Sequence, residues 1–131
     1  LRVSYTSCVA PRAGQEQTYT LYRRGIELLE DGDFLDAAEP LAEAARRAPE
    51  KASVREALGR AYYRAGRFAQ AAVEFEAVVE AHHVDDYAHF CLGRALSKTG
   101  EVARARHHLA LASNLRPDRS DYRFYRRLLD A

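Results

Sequence analysis

Methionine and tryptophan are absent from the 131 residues, and cysteine occurs only twice, as Cys8 and Cys91. Two cysteines do not make a disulfide framework. Cys91 falls inside a helical pattern and reads as a small buried hydrophobe. No apolar run approaches the ~20 residues of a membrane span, and the run near the N-terminus is too short for a secretory signal. The reading therefore places the chain in the cytoplasm. Beginning at Leu1 with no methionine, its N-terminus reads as trimmed. No glycine-rich phosphate loop, nucleophile motif or zinc-spaced cysteine pair occurs, so the expectation is no enzyme and no cofactor. Neither sign of charge dominates: 20 basic residues face 19 acidic ones, for a formal net charge of +1. The histidines include two adjacent pairs, His82-His83 and His107-His108. Adjacent helical residues diverge by about 100°, and the i, i+4 spacing that chelates a metal is missing. His89 can approach the first pair across a loop, but the reading is surface histidines and no metal.

What the chain does have is a period. Gly25, Gly59 and Gly93 lie 34 residues apart, and so do Gly32, Gly66 and Gly100, and Ala37, Ala71 and Ala105. Pro49, His83 and Pro117 nearly keep the same register. A fixed interval of this length signals one helix–turn–helix unit copied three times. The first glycine of each unit sits inside a helical pattern, where it costs roughly 1 kcal/mol against alanine. Three copies imply that a neighbouring helix comes too close for a side chain. The second glycine follows the first helix and suits a left-handed cap. The alanine marks where the second helix crosses the first. Leu28, Tyr62 and Leu96 fill the first helices, and Leu41, Phe75 and Leu109 the second.

These residues resemble the tetratricopeptide repeat. Its pattern is best kept in Leu58-Gly59, Tyr62, Ala71 and Phe75, then in Leu92-Gly93, Leu96, Ala105, Leu109 and Pro117. The first unit keeps Gly25, Leu28, Ala37, Leu41 and Pro49, with Arg24 in place of the usual leucine. The opening aromatic is replaced by Leu21, Arg55 and His89. The resemblance covers residues 18–119. It implies an all-α fold, a right-handed superhelical α-solenoid of three antiparallel helix pairs with a capping helix.

The expected repeats are 18–51, 52–85 and 86–119. Helices are expected over about 18–31, 34–47, 52–65, 68–82, 86–99, 102–115 and 119–130. Asp33, Asp85 and Ser120 stand near helix starts as candidate caps. Pro40 falls inside the second helix, so a kink or a late start is expected there. Residues 120–131 lack the repeat glycine, with Arg127 in its place. Tyr122, Phe124, Tyr125, Leu128 and Leu129 form a stripe that covers the open end of the third unit, as terminal caps do; docking of a partner or a second copy is the less favoured use of it. Residues 1–17 read as a flexible arm or linker, with an arm lying along a groove as the alternative.

In the resembled family the first helix of each unit lines a concave surface. The positions that touch ligands there fall on Tyr19, Tyr22, Ile26, Leu29 and Glu30 in the first unit. In the second they fall on Ser53, Glu56, Arg60, Tyr63 and Arg64, and in the third on Tyr87, Phe90, Arg94, Ser97 and Lys98. Arginine forks suit carboxylates, and tyrosines supply flat contact area. The resemblance thus implies a groove for a peptide or protein segment with apolar anchors and an acidic group. The family's clamp for C-terminal carboxylates needs lysines and asparagines. The matching positions hold Tyr22, Ile26, Ala57, Tyr87 and Cys91, so that clamp is absent. A solvated basic face is the competing reading.

Charge is unevenly spread. Residues 26–50 carry a net −6 and residues 94–127 a net +6. The alternative function is therefore a scaffold that self-associates head to tail into homo-oligomers. Nucleic-acid binding through the basic half ranks last, because the acidic half repels phosphate.

Overall fold

Each helix pair turns on a glycine. In the computed structural model, which describes residues 13–130, Gly66 has φ +81°. Its N–H donates to Tyr63 O at 3.0 Å, and the next N–H, of Arg67, reaches back to Tyr62 O at 2.8 Å. This paired closure satisfies carbonyls that a helix end leaves open, and it needs a left-handed residue at its centre. Gly32 and Gly100 repeat it at φ +84° and +87°. The expected glycine caps are therefore present in all three units.

Seven helices are found among the described residues: α1 (Ala13–Glu30), α2 (Phe34–Arg47), α3 (Ala52–Arg64), α4 (Phe68–Ala81), α5 (Asp86–Lys98), α6 (Val102–Leu115) and α7 (Ser120–Asp130). No strand occurs among them. Each helix packs on its sequence neighbours, and α1 also touches α3. The architecture is an all-α solenoid of stacked hairpins.

The mid-helix glycines have the expected packing cause. A Cβ on Gly59 would lie 2.8 Å from Phe75 Cζ, and one on Gly93 would lie 2.6 Å from Leu109 Cγ. Gly25 meets Leu41 in the same way. In every pair the large residue of the second helix thus rests on bare backbone of the first. Ala37, Ala71 and Ala105 are fully buried beside these contacts. Two cores result. One joins Leu29, Leu41 and their neighbours to Val54 and Leu58, and the other joins Phe75 and Val78 to Leu92, Leu96, Leu109 and Tyr122. Tyr62 packs against both.

Several expectations change. Residues 13–17, expected as linker, form the first turns of α1, with Thr18 Oγ1 donating to Gly14 O at 2.9 Å. Residues 1–12 of the expected arm, Cys8 among them, lie outside the described residues. Pro40 neither delays nor interrupts α2, which runs through it with Pro40 buried. Asp85 caps α5 by accepting from Ala88 N at 3.0 Å, whereas Asp33 makes no side-chain cap bond at α2. At α7, Ser120 is itself the first helical residue, and Asp121 accepts from Tyr122 N at 3.0 Å.

Candidate functional site

The parallel first helices α1, α3 and α5 bring side chains from all three units to one cavity of about 380 Å³. Leu29 and Glu30 come from α1, Arg60, Tyr63 and Arg64 from α3, and Tyr87, Cys91 and Arg94 from α5. Phe34, at the start of α2, and Phe75, on α4, complete the lining.

Three of the basic residues here, Arg64, Arg94 and Lys98, stand over rings rather than against carboxylates. The Arg64 guanidinium lies 4.4 Å from the centre of the Phe34 ring. One repeat later Lys98 Nζ lies 5.8 Å from the Phe68 ring. Arg94 sits 5.0 Å from Tyr63 and 4.5 Å from Tyr125. Such stacking restrains the side chain while leaving its N–H groups unspent. Arg60, Arg64, Arg94 and Lys98 make no ion pair or hydrogen bond among the described residues. Several arginines elsewhere are neutralised: Arg47 by Glu43 at 3.0 Å, Arg116 by Asp118 at 2.9 Å and Arg119 by Asp121 at 2.7 Å. Arg104 is paired with both Glu76 and Glu101.

Acids are sparse in the groove. Glu56 is half-buried, and its pKa is raised by that burial and by nearby Asp85, against the pull of Arg60. Burial pushes the Cys91 thiol up to about 12 and, aided by that thiol, the Tyr87 hydroxyl to about 12. Cys91 is therefore a neutral lining atom, with little thiolate to act as a nucleophile.

The structure divides the expected groove residues. Arg60, Tyr63, Arg64, Tyr87 and Arg94 share the cavity. Glu56 stands beside Arg60, and Lys98 lies just beyond over Phe68. Tyr19 and Tyr22 line a different hollow of about 730 Å³ with Thr18, Lys51 and Ser53. Ile26 is half-buried against the first core. Phe90 is only 6% exposed, with its ring 4.6 Å from Tyr122 and 5.4 Å from Tyr125, so its contribution is to the core. Phe34 also lines the cavity, and the sequence signal for it is its match to Phe68 one period later.

The histidines also need correcting. His89 is buried, not on the surface. Its Nε2 lies 2.8 Å from His83 O and its Nδ1 lies 3.0 Å from His108 Nδ1. Among the described residues no group of three or more metal-ligating side chains forms. No described helix is long and apolar enough to cross a membrane.

The solved structures similar to this chain share its fold. The second tetratricopeptide repeat domain of human RPAP3, solved with the HSP70 peptide SGPTIEEVD, aligns with a TM-score of 0.84 at 14% identity, over 91% of this chain and 99% of that one. MamA from Desulfovibrio magneticus RS-1 aligns with a TM-score of 0.83 at 22% identity, over 86% of this chain and 64% of that one. The Yersinia enterocolitica type III secretion chaperone SycD, solved with a peptide of the translocator YopD, aligns with a TM-score of 0.72 at 17% identity, over 86% of each chain. No curated protein matches the sequence. The family model described as tetratricopeptide repeat matches residues 22–85 and again 57–119. The chain belongs to the tetratricopeptide repeat family.

Proposed function

We propose that the chain is a non-catalytic module that captures a peptide or protein segment carrying an acidic group. One observation carries the reading. Among the described residues, Arg64, Arg94 and Lys98 lie along the first helices of consecutive units, set over aromatic rings and without ion pairs, beside Arg60, which only Glu56 opposes. Charge-assisted bonds from such groups to a carboxylate are shorter and stronger than neutral ones. Tyr63 and Tyr87 supply flat walls between them. Peptides bound to the similar RPAP3 and SycD structures support the class of ligand.

The test is a peptide array with paired acidic and neutral versions of each segment. Wild-type protein is expected to prefer the acidic versions. Arg60→Glu with Arg94→Glu is expected to weaken that capture at least ~10-fold, the scale of one lost charged contact. Unchanged capture ends the groove assignment.

A second reading, head-to-tail self-association, is favoured by Asp31, Asp33 and Asp36 at the α1–α2 turn. They make no ion pair or hydrogen bond through their carboxylates among the described residues, and they are exposed. Sedimentation at low and high salt separates the two: a monomer at every salt concentration removes this one.

A further inference from the structure

Helix α7 follows the groove helices in the repeat register, so that Phe124 and Leu128 stand 34 positions after Phe90 and Arg94, and 68 after Glu56 and Arg60. In α3 this register puts Arg60 into the cavity lining, and in α5 it puts Arg94 there. The inner face of α7 is already used: Tyr122 is fully buried, and Tyr125 and Leu129 pack against the second core. Phe124 and Leu128 share another face, one turn apart. They are 50% and 54% exposed. Two large apolar side chains one turn apart are thus left available for contact.

The surface is continuous with the basic groove. Arg94, which lines the cavity, lies 4.5 Å from the Tyr125 ring, and the Phe124 ring lies 5.3 Å from that same ring. An unpaired guanidinium and an open apolar shelf are thus separated by one aromatic side chain.

We propose that Phe124 and Leu128 form the apolar subsite of the groove and receive a large aliphatic or aromatic side chain of the bound segment, whose neighbouring carboxylate meets Arg94. This rests on the acidic-segment reading above and adds where its apolar anchor goes. The occupant is a protein segment of mixed character, argued from the juxtaposition of unneutralised base and exposed apolar pair. Well-packed apolar anchors beside a charged contact carry most of the affinity in such interfaces.

The test uses two fluorescein-labelled ten-residue peptides. Both carry two adjacent glutamates; one has Leu-Phe two residues away and the other has Ala-Ala there. Polarisation titrations compare wild type, Phe124→Ser with Leu128→Ser, and Arg94→Glu. Both replaced α7 residues are half-exposed, and circular dichroism checks that helix content is kept; if it is not, Phe124→Ala with Leu128→Ala takes the same place. The wild type is expected to bind the Leu-Phe peptide at least ~10-fold more tightly, the scale of one or two buried apolar side chains. The serine variant is expected to erase that preference and leave the Ala-Ala peptide unaffected. Arg94→Glu is expected to weaken both. A preference that survives in the serine variant overturns the subsite but leaves the acidic-segment reading standing. Absence of binding by either peptide sinks both. Self-association of the wild type that vanishes in the serine variant assigns the face to a second copy and overturns the subsite as well.

Discussion

His89 meets His108 at 3.0 Å, in the very places that Arg55 and Glu74 hold one repeat earlier, also at 3.0 Å. The backbone half of the contact repeats too. Arg55 Nε donates to Pro49 O at 2.8 Å, and His89 Nε2 lies 2.8 Å from His83 O. Each couples the first helix to the second and to the loop that enters the unit. In the first unit the same places hold Leu21 and Pro40. The position is a polar staple in two units and apolar in one, and Pro40 is buried where the others place a polar partner.

The two polar versions respond differently to acid. With His89 donating from Nε2 to the carbonyl, its neutral Nδ1 accepts from His108 Nδ1–H. His108 has its pKa lowered to about 4 by burial, then by His89 and His107, with Arg104 adding to the effect and Glu76 opposing it. A depressed histidine favours the neutral folded state, so its contribution is fully present above the ordinary value of about 6.5 and is lost as pH falls toward 4. Stability of the α5–α6 pair, read by hydrogen exchange, is expected to drop over that window. His89→Arg with His108→Glu, copying the second unit, is expected to remove the drop; its persistence would assign it elsewhere.

Gly59→Ala and Gly66→Ala destabilise for separate reasons. At Gly59 the new Cβ meets Phe75 at 2.8 Å, so Phe75 must shift, at about 1–3 kcal/mol. At Gly66 nothing lies within 4 Å, and the cost is the left-handed backbone, about 1–2 kcal/mol. Gly59→Ala with Phe75→Leu is expected to recover none of the loss, because Leu109 lies closer still to the Cβ position of Gly93, at 2.6 Å. No second-helix change is expected to rescue Gly66→Ala. Urea denaturation of the variants checks both statements.

Tyr122 Oη donates to Asp86 at 2.7 Å and ties α7 to the start of α5. The residue is fully buried. Tyr122→Phe keeps the ring and removes the bond, and is expected to cost about 1.5–3 kcal/mol, the range for a bond to a charged partner. Exchange of α7 amides should accelerate before those of α3. Uniform acceleration along the chain would show that α7 does not open by itself.

Glu56 is the half-buried acid beside Arg60, with its pKa raised by burial. Its protonation leaves the groove bases less opposed, so an acidic peptide is expected to bind more tightly as pH falls toward the ordinary carboxylate range, and to weaken once its own carboxylates are protonated. Glu56→Gln is expected to bind that peptide more tightly at pH 7 and to flatten the pH dependence. Titrations of the wild type and variant by calorimetry decide the point; an unaltered pH profile separates Glu56 from the site.

The period was legible because each repeated residue meets a local demand. Gly66 closes a turn, Gly59 admits Phe75, and Ala71 fills a crossing, so the same spacing must return wherever the same hairpin does. That Arg60 and Arg94 line one cavity was legible from the register for the same reason. Phe90 shares the register but turned out buried, because Tyr122 and Tyr125 of α7 close over it. Nothing local to Phe90 records that neighbour. His89 likewise reads as polar and outward until His108 and the His83 carbonyl are placed beside it.

Sequence alone determined the hairpin, its length and its threefold copying, because helix ends and close crossings are set by residues near one another in the chain. Tertiary structure alone decided which charges are satisfied. Arg104 reaches Glu76 across 28 positions, while Arg94 finds only rings. Whether a base is spent or available depends on what stacking brings within a few ångströms, and composition and period carry no record of that.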